Sequence, residues 1–350
     1  MRVLACLLAL ALAACVGAPD EREAPGKALD ASGFLYGFEA FTIRTVDDRP
    51  LTYYVDRPLG ARVPLVLEVD GSSCVGQLRQ GFGDLLRPGP ERAYPYAYLR
   101  VEKHGVTPWA AHGAECTDNF RKHYTMDGRV TDHLRVLQHL RGHADWWDGT
   151  LLVFGWSDGG DVAGRLVAYY PGVTRAVLGA MGGGTTMAEH FRDLWVCPAG
   201  TEDRPACVDE LEAQFTRMRD NPTWKETWSG QDNAWRAWPG RLDTKLSLLL
   251  ADDPTPKLIV HGAEDFENTP VASARALVAA LREARAPHAY WEVPGMGHGW
   301  GAPLPDEKGD ALERAMRDWL LTGEASEADL DRIGVREGAF VPAGAAGARR

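Results

Sequence analysis

Residues 151–160 read Leu-Leu-Val-Phe-Gly-Trp-Ser-Asp-Gly-Gly, and this stretch decides the fold of the chain. Its first four residues are apolar without interruption, which is typical of a strand buried on both faces of a parallel sheet. Val162 and Leu166 follow at helical spacing. Between strand and helix, a glycine two positions to each side of Ser157 allows a tight turn. Because a strand–turn–helix unit of this kind exposes its serine as a nucleophile, Ser157 is predicted to be one.

Two later loops carry a base and an acid that suit a serine nucleophile. Asp265 follows the apolar strand 258–260, and His298 follows a strand that ends at Val293. The carboxyl ends of parallel strands meet at one edge of a sheet, so we expect both side chains near Ser157. A serine hydroxyl needs a base to take its proton and an acid to orient that base. We therefore predict His298 as the base and Asp265 as the acid.

The residues around the acid leave an alternative open. Glu264 directly precedes Asp265 and carries the same functional group, in which case Asp265 would be a turn or cap residue. His261 lies between a strand and a turn, and we expect a structural role for it. His298 is flanked by glycines, which gives it little reason to be a core histidine.

Strand-like and helix-like segments alternate along most of the chain. Apolar or alternating patterns indicate strands at 38–45, 51–55, 64–69, 94–101, 151–154, 176–178, 258–260 and 290–293. The first two segments indicate a hairpin that opens the sheet. The alternation as a whole predicts an α/β protein with a mostly parallel sheet flanked by helices.

The stretch from about 183 to 252 breaks this alternation and predicts a largely helical cap insertion. It has no clear strand pattern, but it contains Trp195, Trp224, Trp228, Trp235 and Trp238. Two interpretations of these rings stay open. Either they form a small core of the insertion, or some of them line a substrate pocket.

The three motifs resemble the α/β-hydrolase superfamily, whose nucleophile elbow, late acid loop and final histidine loop match Ser157, Asp265 and His298. The resemblance covers about residues 35–322, with the insertion where members of the superfamily carry a cap. It implies a serine hydrolase that acts through an acyl-enzyme on a small-molecule ester or a peptide. That chemistry requires no metal and no organic cofactor.

An oxyanion hole in such an enzyme needs two backbone N–H donors. The resemblance assigns one donor to Asp158, the residue after the nucleophile. It assigns the other to the loop that follows the strand at 64–69, with Ser72 as the candidate. This loop reads Asp-Gly-Ser-Ser at 70–73 and departs from the His-Gly common in the family, which leaves the roles of its side chains undecided.

Carboxylic-ester hydrolysis is the first expectation for the activity. A peptidase of the prolyl-oligopeptidase or serine-aminopeptidase kind is the alternative, because Gly-x-Ser-x-Gly-Gly elbows occur there too. An aminopeptidase needs acidic groups to hold the substrate's amine, and Glu189, Glu202 or Asp209 in the insertion are candidates. A thioesterase and a catalytically idle hydrolase fold used for binding are further alternatives.

The N-terminus is predicted to be an export signal, residues 1–14. A short positive start precedes an apolar run that is too short to span a bilayer. The run ends in Leu-Ala-Ala-Cys, which resembles the bacterial lipobox and implies lipidation of Cys15. An ordinary secretory signal cut near Ala14 or Ala18 is the alternative. The lipobox predicts an exported lipoprotein of the cell envelope, anchored to a membrane by Cys15 and tethered by residues 15–33.

Four cysteines lie beyond the lipobox, and an even set in an oxidising compartment predicts two disulfides. Proximity in sequence favours Cys197–Cys207, which leaves Cys74–Cys116 to brace the loop that carries Ser72. Free buried thiols are the alternative.

Charge and pattern bound the remaining possibilities. The net charge of -11 argues against a nucleic-acid partner, since phosphate backbones bind basic surfaces. The cysteines show no spacing typical of a metal site. The hydrolase domain is expected to cover residues 34–322. From 323 to 350 the apolar pattern dissolves, and we expect a disordered tail there.

Overall fold

A computed structural model of the protein describes residues 38–78, 86, 96–111, 114–228, 233–266, 268–299 and 304–335. The strands in these residues form one sheet: β1 (Glu39–Arg44), β2 (Pro50–Asp56), β3 (Val63–Val69), β4 (Ala97–Val101), β5 (Trp147–Trp156), β6 (Val173–Gly179), β7 (Lys257–Gly262) and β8 (His288–Val293). The strand order is β1-β2-β4-β3-β5-β6-β7-β8, antiparallel from β1 to β4 and parallel from β4 to β8. The predicted opening hairpin and mostly parallel sheet are confirmed.

The α-helices in the described residues are α1 (Asp118–His123), α2 (Met126–His143), α3 (Asp158–Tyr169), α4 (Met187–His190), α5 (Arg204–Asp220), α6 (Pro239–Leu242), α7 (Leu246–Leu250), α8 (Val271–Ala284), α9 (Asp306–Thr322) and α10 (Glu327–Ile333). A π-helical turn, Phe191–Trp195, follows α4, and a 3-10 turn, Trp235–Ala237, precedes α6. None of the described helices is both long enough and apolar enough to cross a membrane.

The core consists of two apolar layers, one on each face of the sheet. Helices α2, α3 and α8 cover one face with Leu137, Leu166 and Leu277, all fully buried. Helix α9 covers the other face with Leu312 and Met316. Burial on both faces is why β5 and β7 read as uninterrupted apolar runs in the sequence.

The insertion lies between β6 and β7 and contains α4 to α7. Its own small core includes Phe191, Phe215 and Met218, all buried. Helix α7 joins the insertion to the sheet, since Leu246 and Leu250 are buried in the layer that contains α3 and α8. Sγ of Cys197 is bonded to Sγ of Cys207 within the insertion. The fold class predicted for the chain, including its cap insertion, is therefore confirmed.

The prediction of a disordered tail from 323 is wrong for residues 327–333. These residues form α10, which packs on α9, and Ile333 is fully buried in the same apolar layer as α9. Arg314 on α9 also donates a 2.7 Å hydrogen bond to Asp329. A segment of this length is too short to show a clear apolar periodicity in the sequence. The helix is stabilised by docking onto α9. The signal, the tether and residues 336–350 lie outside the described residues.

Candidate active site

The tight turn predicted at Ser157 is present, and its backbone is strained. Ser157 has a φ of 58° and a ψ of -128°, a conformation that a non-glycine residue adopts only when its surroundings enforce it. Its N–H donates to the carbonyl of Gly179 at 2.9 Å. A Cβ at Gly155 would lie 2.2 Å from the Gly159 carbonyl, and one at Gly159 would lie 2.1 Å from the Val69 carbonyl. The two glycines are therefore required by the close approach of strand and helix.

The structure brings the three predicted side chains into one hydrogen-bonded chain. Nε2 of His298 lies 2.8 Å from Oγ of Ser157. Nδ1 of the same ring lies 2.8 Å from Oδ2 of Asp265. The carboxylate of Asp265 is buried, whereas the His298 ring is partly exposed and faces the pocket described below.

The surroundings of Asp265 favour its ionised form. Burial raises the pKa of this carboxyl, but hydrogen bonds from His298 and Thr269 outweigh burial and hold the pKa below its ordinary value. The Thr269 hydroxyl lies 2.8 Å from Oδ2 of Asp265, and the N–H groups of Asn268 and Thr269 donate to Oδ1. Glu264 is exposed, so Asp265 is the carboxylate that meets His298.

His261 is buried beside this chain and contacts neither Ser157 nor the pocket. Its Nε2 lies 2.6 Å from the carbonyl of Thr269 and 3.8 Å from Oδ2 of Asp265. Burial lowers the pKa of His261, which keeps its ring neutral. These contacts brace the loop that presents Asp265.

The loop after β3 lies against the nucleophile. A Cβ at Gly71 would lie 4.0 Å from Cβ of Ser157. Nζ of Lys103 donates to the Gly71 carbonyl at 2.9 Å, and to the Ser73 carbonyl as well. The C=O and N–H of a trans peptide point in opposite directions, so the N–H of Ser72 points away from Lys103. Within the described residues, no hydrogen bond engages the N–H of Ser72 or of Asp158.

A disulfide supports the same loop. Sγ of Cys74 is bonded to Sγ of Cys116, whose Cα lies 5.6 Å from that of Cys74. Both pairings that the sequence favoured are present in the structure.

The side chain of Asp158 lies at the centre of a cluster of two arginines and a tyrosine. Its carboxylate accepts 2.6 Å hydrogen bonds from Tyr124, Arg129 and Arg241. Burial raises the pKa of Asp158, but Arg241 and Arg129 outweigh burial and hold the pKa well below its usual range. The sequence indicated only a backbone role for Asp158. Tyr124 follows α1 and Arg129 lies on α2, whereas Arg241 lies far along the chain on α6, so no local pattern links all three to Asp158.

A cavity of about 390 Å³ opens over Ser157. The insertion supplies its apolar wall: Met187, Phe191, Trp195 and Trp238. The other cap tryptophans do not line it: Trp228 and Trp235 contact the insertion's own core, and Trp224 lies outside both. Both interpretations of the tryptophans therefore hold: Trp195 lines the cavity, Trp228 and Trp235 contact the core of the insertion, and Trp238 does both.

Among the described residues that line the cavity, every carboxylate is already paired with a cation. The two on this lining are Asp158, held as above, and Asp161, which Arg165 contacts at 3.0 Å. Glu189 is paired with Lys245 at 2.8 Å and does not line the cavity. Glu202 and Asp209 are exposed elsewhere on the insertion. In the described part of the chain, no cluster of three or more His, Cys, Asp or Glu residues is arranged to hold a metal ion.

Comparison with solved structures identifies the fold as the α/β-hydrolase fold. Est1E from Butyrivibrio proteoclasticus, also solved with ferulic acid bound, matches with a TM-score of 0.54 and 15% identity over 81% of this chain and 97% of Est1E. The Pyrococcus horikoshii acylaminoacyl peptidase matches with a TM-score of 0.53 and 12% identity over 85% of this chain. A puromycin-hydrolyzing peptidase of Mycobacterium tuberculosis matches with a TM-score of 0.50 and 17% identity over 75% of this chain.

These matches differ in how much of the other protein they include. The chain spans 44% of the acylaminoacyl peptidase and 36% of the puromycin-hydrolyzing peptidase, but nearly all of Est1E. No protein-family model and no curated protein matches the chain.

Proposed function

We propose that this protein is a serine hydrolase that cleaves a carboxylic ester through an acyl-enzyme. The observation that carries the proposal is the unbroken chain of 2.8 Å contacts from Ser157 through His298 to Asp265. Its order and geometry match those of a nucleophile, a base and an orienting acid. The α/β-hydrolase fold supports the same class of chemistry.

The proposed reaction proceeds in two transfers. Nε2 of His298 takes the hydroxyl proton as Oγ of Ser157 attacks the ester carbonyl, and the N–H groups of Asp158 and Ser72 stabilise the oxyanion. His298 then returns the proton to the departing alcohol, which leaves an acyl-serine. A water activated by the same imidazole hydrolyses the acyl-serine and regenerates the hydroxyl. Asp265 stabilises the imidazolium in both halves.

The cavity favours an ester with a neutral, apolar or aromatic acyl group. Its cap side presents rings and methionines, and its carboxylates are neutralised by arginines. The described lining residues leave no unpaired carboxylate to hold a substrate's amino group, which an aminopeptidase requires. The aromatic wall suits an aryl or arylalkenyl acid. Est1E, nearly all of which this chain matches, has been solved with ferulic acid bound.

We further propose that the protein is exported and anchored to a membrane of the cell envelope through a lipid on Cys15. The support is the sequence Leu-Ala-Ala-Cys at the end of the apolar N-terminal run. Mass spectrometry of the mature N-terminus tests this proposal. An acylated Cys15 as the first residue is expected, and a mature chain that begins elsewhere would contradict it.

A substrate panel tests the proposed activity. Purified protein is assayed against p-nitrophenyl acetate, butyrate and octanoate, methyl cinnamate, and aminoacyl and prolyl p-nitroanilides, with Ser157→Ala as the control. We expect ester hydrolysis that Ser157→Ala abolishes, with the cinnamate among the preferred substrates. Activity confined to the anilides would show a peptidase instead.

A further inference from the structure

One arginine connects the two segments that carry the proposed oxyanion donors. Arg129 lies on α2 and is 5% exposed. Its Nη1 donates to Oδ2 of Asp158 at 2.6 Å, and its Nη2 donates to the backbone carbonyl of Asp70 at 2.5 Å. Nη1 also lies 3.5 Å from the Gly71 carbonyl. Among the described residues, no other side chain hydrogen-bonds to both segments.

The backbones of the two segments pack directly, with Gly159 against the carbonyls of Val69 and Asp70, but each segment has its own side-chain anchors. Asp158 keeps Arg241 and Tyr124 as partners without Arg129. The loop keeps the Lys103 ammonium, which binds the Asp70 carboxylate and the Gly71 carbonyl. Arg129 therefore adds a connection between the segments, and each segment keeps its own ties without it.

A guanidinium suits this connection because it is planar and rigid. Its two terminal nitrogens hold their acceptors at a fixed separation, which the single ammonium of a lysine does not do. One acceptor is the side-chain carboxylate of Asp158, whose own N–H is a proposed donor. The other is the carbonyl of Asp70, two residues before Ser72. Fixing the acceptors fixes the spacing of the two donors.

We propose that Arg129 is a positioning residue that sets the spacing of the two N–H groups of the oxyanion hole. This inference rests on the proposed serine-hydrolase function. Arg129 touches no reacting atom and acts through Asp158 and the Asp70–Ser72 loop. Donors that are preorganised for the oxyanion stabilise the transition state more than the bound substrate, so loss of the spacing lowers kcat and leaves KM nearly unchanged.

The test compares Arg129→Met and Arg129→Lys with Lys257→Met. Lys257 is an equally buried, ion-paired cation at the start of β7, but it binds Asp253 and neither donor segment nor the cavity. For Arg129→Met we expect kcat on p-nitrophenyl acetate to fall about 100-fold, the loss typical of one oxyanion donor. KM should change by less than about threefold. Lys257→Met should keep kcat within about threefold despite a similar loss of stability.

A second readout isolates the oxyanion. An aryl trifluoromethyl ketone adds reversibly to a serine hydroxyl and forms a tetrahedral hemiketal whose oxygen occupies the oxyanion hole. Its inhibition constant should weaken in Arg129→Met by the same factor as kcat falls. In Arg129→Lys we expect the stability to return towards wild type while kcat stays low. If Arg129→Met fails to fold, Arg129→Lys carries both readouts.

The outcomes separate this inference from the proposed function. A wild type that hydrolyses none of the panel esters and does not react with the ketone overturns the proposed function, and this inference with it. An active wild type whose Arg129 variants keep kcat, or lose it only as Lys257→Met does, overturns the positioning role alone.

Discussion

Nε1 of Trp156 donates a 2.8 Å hydrogen bond to the backbone carbonyl of His298. Trp156 directly precedes the nucleophile and is 2% exposed, so the bond ties the elbow to the loop that presents the base. The segments that carry Ser157 and His298 are therefore joined by this bond as well as by the contact between the two catalytic side chains.

Replacement of Trp156 by Phe should lower activity by loosening the His298 loop. Phenylalanine keeps an aromatic ring at this position but cannot donate the hydrogen bond. Loss of the bond should lower the unfolding free energy by about 1 kcal/mol, and the smaller ring should lower it further. We expect kcat to fall about tenfold, equivalent to about 1.4 kcal/mol of the barrier. Trp291→Phe is the matched control, since Trp291 is equally buried in the same apolar layer. If both variants lose kcat equally, the hydrogen bond has no specific role.

Removal of the Trp195 ring should affect aromatic substrates selectively. Trp195 lines the cavity and is 39% exposed, so its replacement by Ala should cost the fold little. We expect KM for methyl cinnamate to rise about tenfold, as the loss of an aromatic contact implies, and KM for p-nitrophenyl acetate to stay the same. Trp224→Ala, a cap tryptophan outside the cavity, should change neither value. A KM for cinnamate that is unchanged in Trp195→Ala would remove this ring from the acyl site.

The two disulfides should have separable effects on stability and kinetics. Loss of Cys74–Cys116, with a sequence separation of 42, should cost about 4 kcal/mol of unfolding free energy on loop-closure arguments. Loss of Cys197–Cys207, with a separation of 10, should cost about 3 kcal/mol. Paired Cys→Ala variants, followed by urea unfolding and kinetics, should lower kcat for the first pair and raise KM for the second. Identical kinetic effects of both pairs would contradict the separate roles of loop and cap.

Glu102 should make stability fall as pH rises. Burial raises the pKa of this carboxyl to about 7, and its oxygens accept hydrogen bonds from Tyr54 and two backbone N–H groups. The unfolded chain, with a pKa of about 4.3, releases the proton first, so the folded state binds more protons in between. The contribution of Glu102 to the unfolding free energy is therefore most favourable at low pH and is lost as pH rises towards 7.

Glu102→Gln tests that dependence, since glutamine resembles the protonated acid and does not titrate. Between pH 5 and pH 8, we expect the unfolding free energy of the wild type to fall by about 2 to 3 kcal/mol relative to Glu102→Gln. Urea titrations at the two values measure the difference. A difference that is the same at both pH values would show that Glu102 is ionised throughout.

The sequence predicted those parts of the site that local chemistry specifies. The glycines around Ser157 and the apolar strand before it form a continuous pattern, and the acid and base each follow a recognisable strand. Asp265 was distinguishable from Glu264 only in three dimensions, where one carboxylate is buried against His298 and the other is exposed.

The ionic support of the site could not be predicted. Lys103, Arg129 and Arg241 carry no motif, and their shared targets become neighbours only when α2, β4 and the insertion are assembled around the elbow. The same reason applies to α10, since a seven-residue helix has too short an apolar pattern to stand out from a tail.

Labelling with a fluorophosphonate tests whether Ser157 is an activated nucleophile. The probe reacts with any activated serine, so the result does not depend on knowing the substrate. Wild-type protein, Ser157→Ala, His298→Ala and the remote control Ser326→Ala are treated with the probe and mapped by mass spectrometry. We expect one label, on the peptide that contains Ser157, in the wild type and the control. We expect no label in Ser157→Ala and strongly slowed labelling in His298→Ala. Folded wild-type protein that takes no label, or a label that persists in Ser157→Ala, would contradict the account and favour an idle hydrolase fold or a different nucleophile.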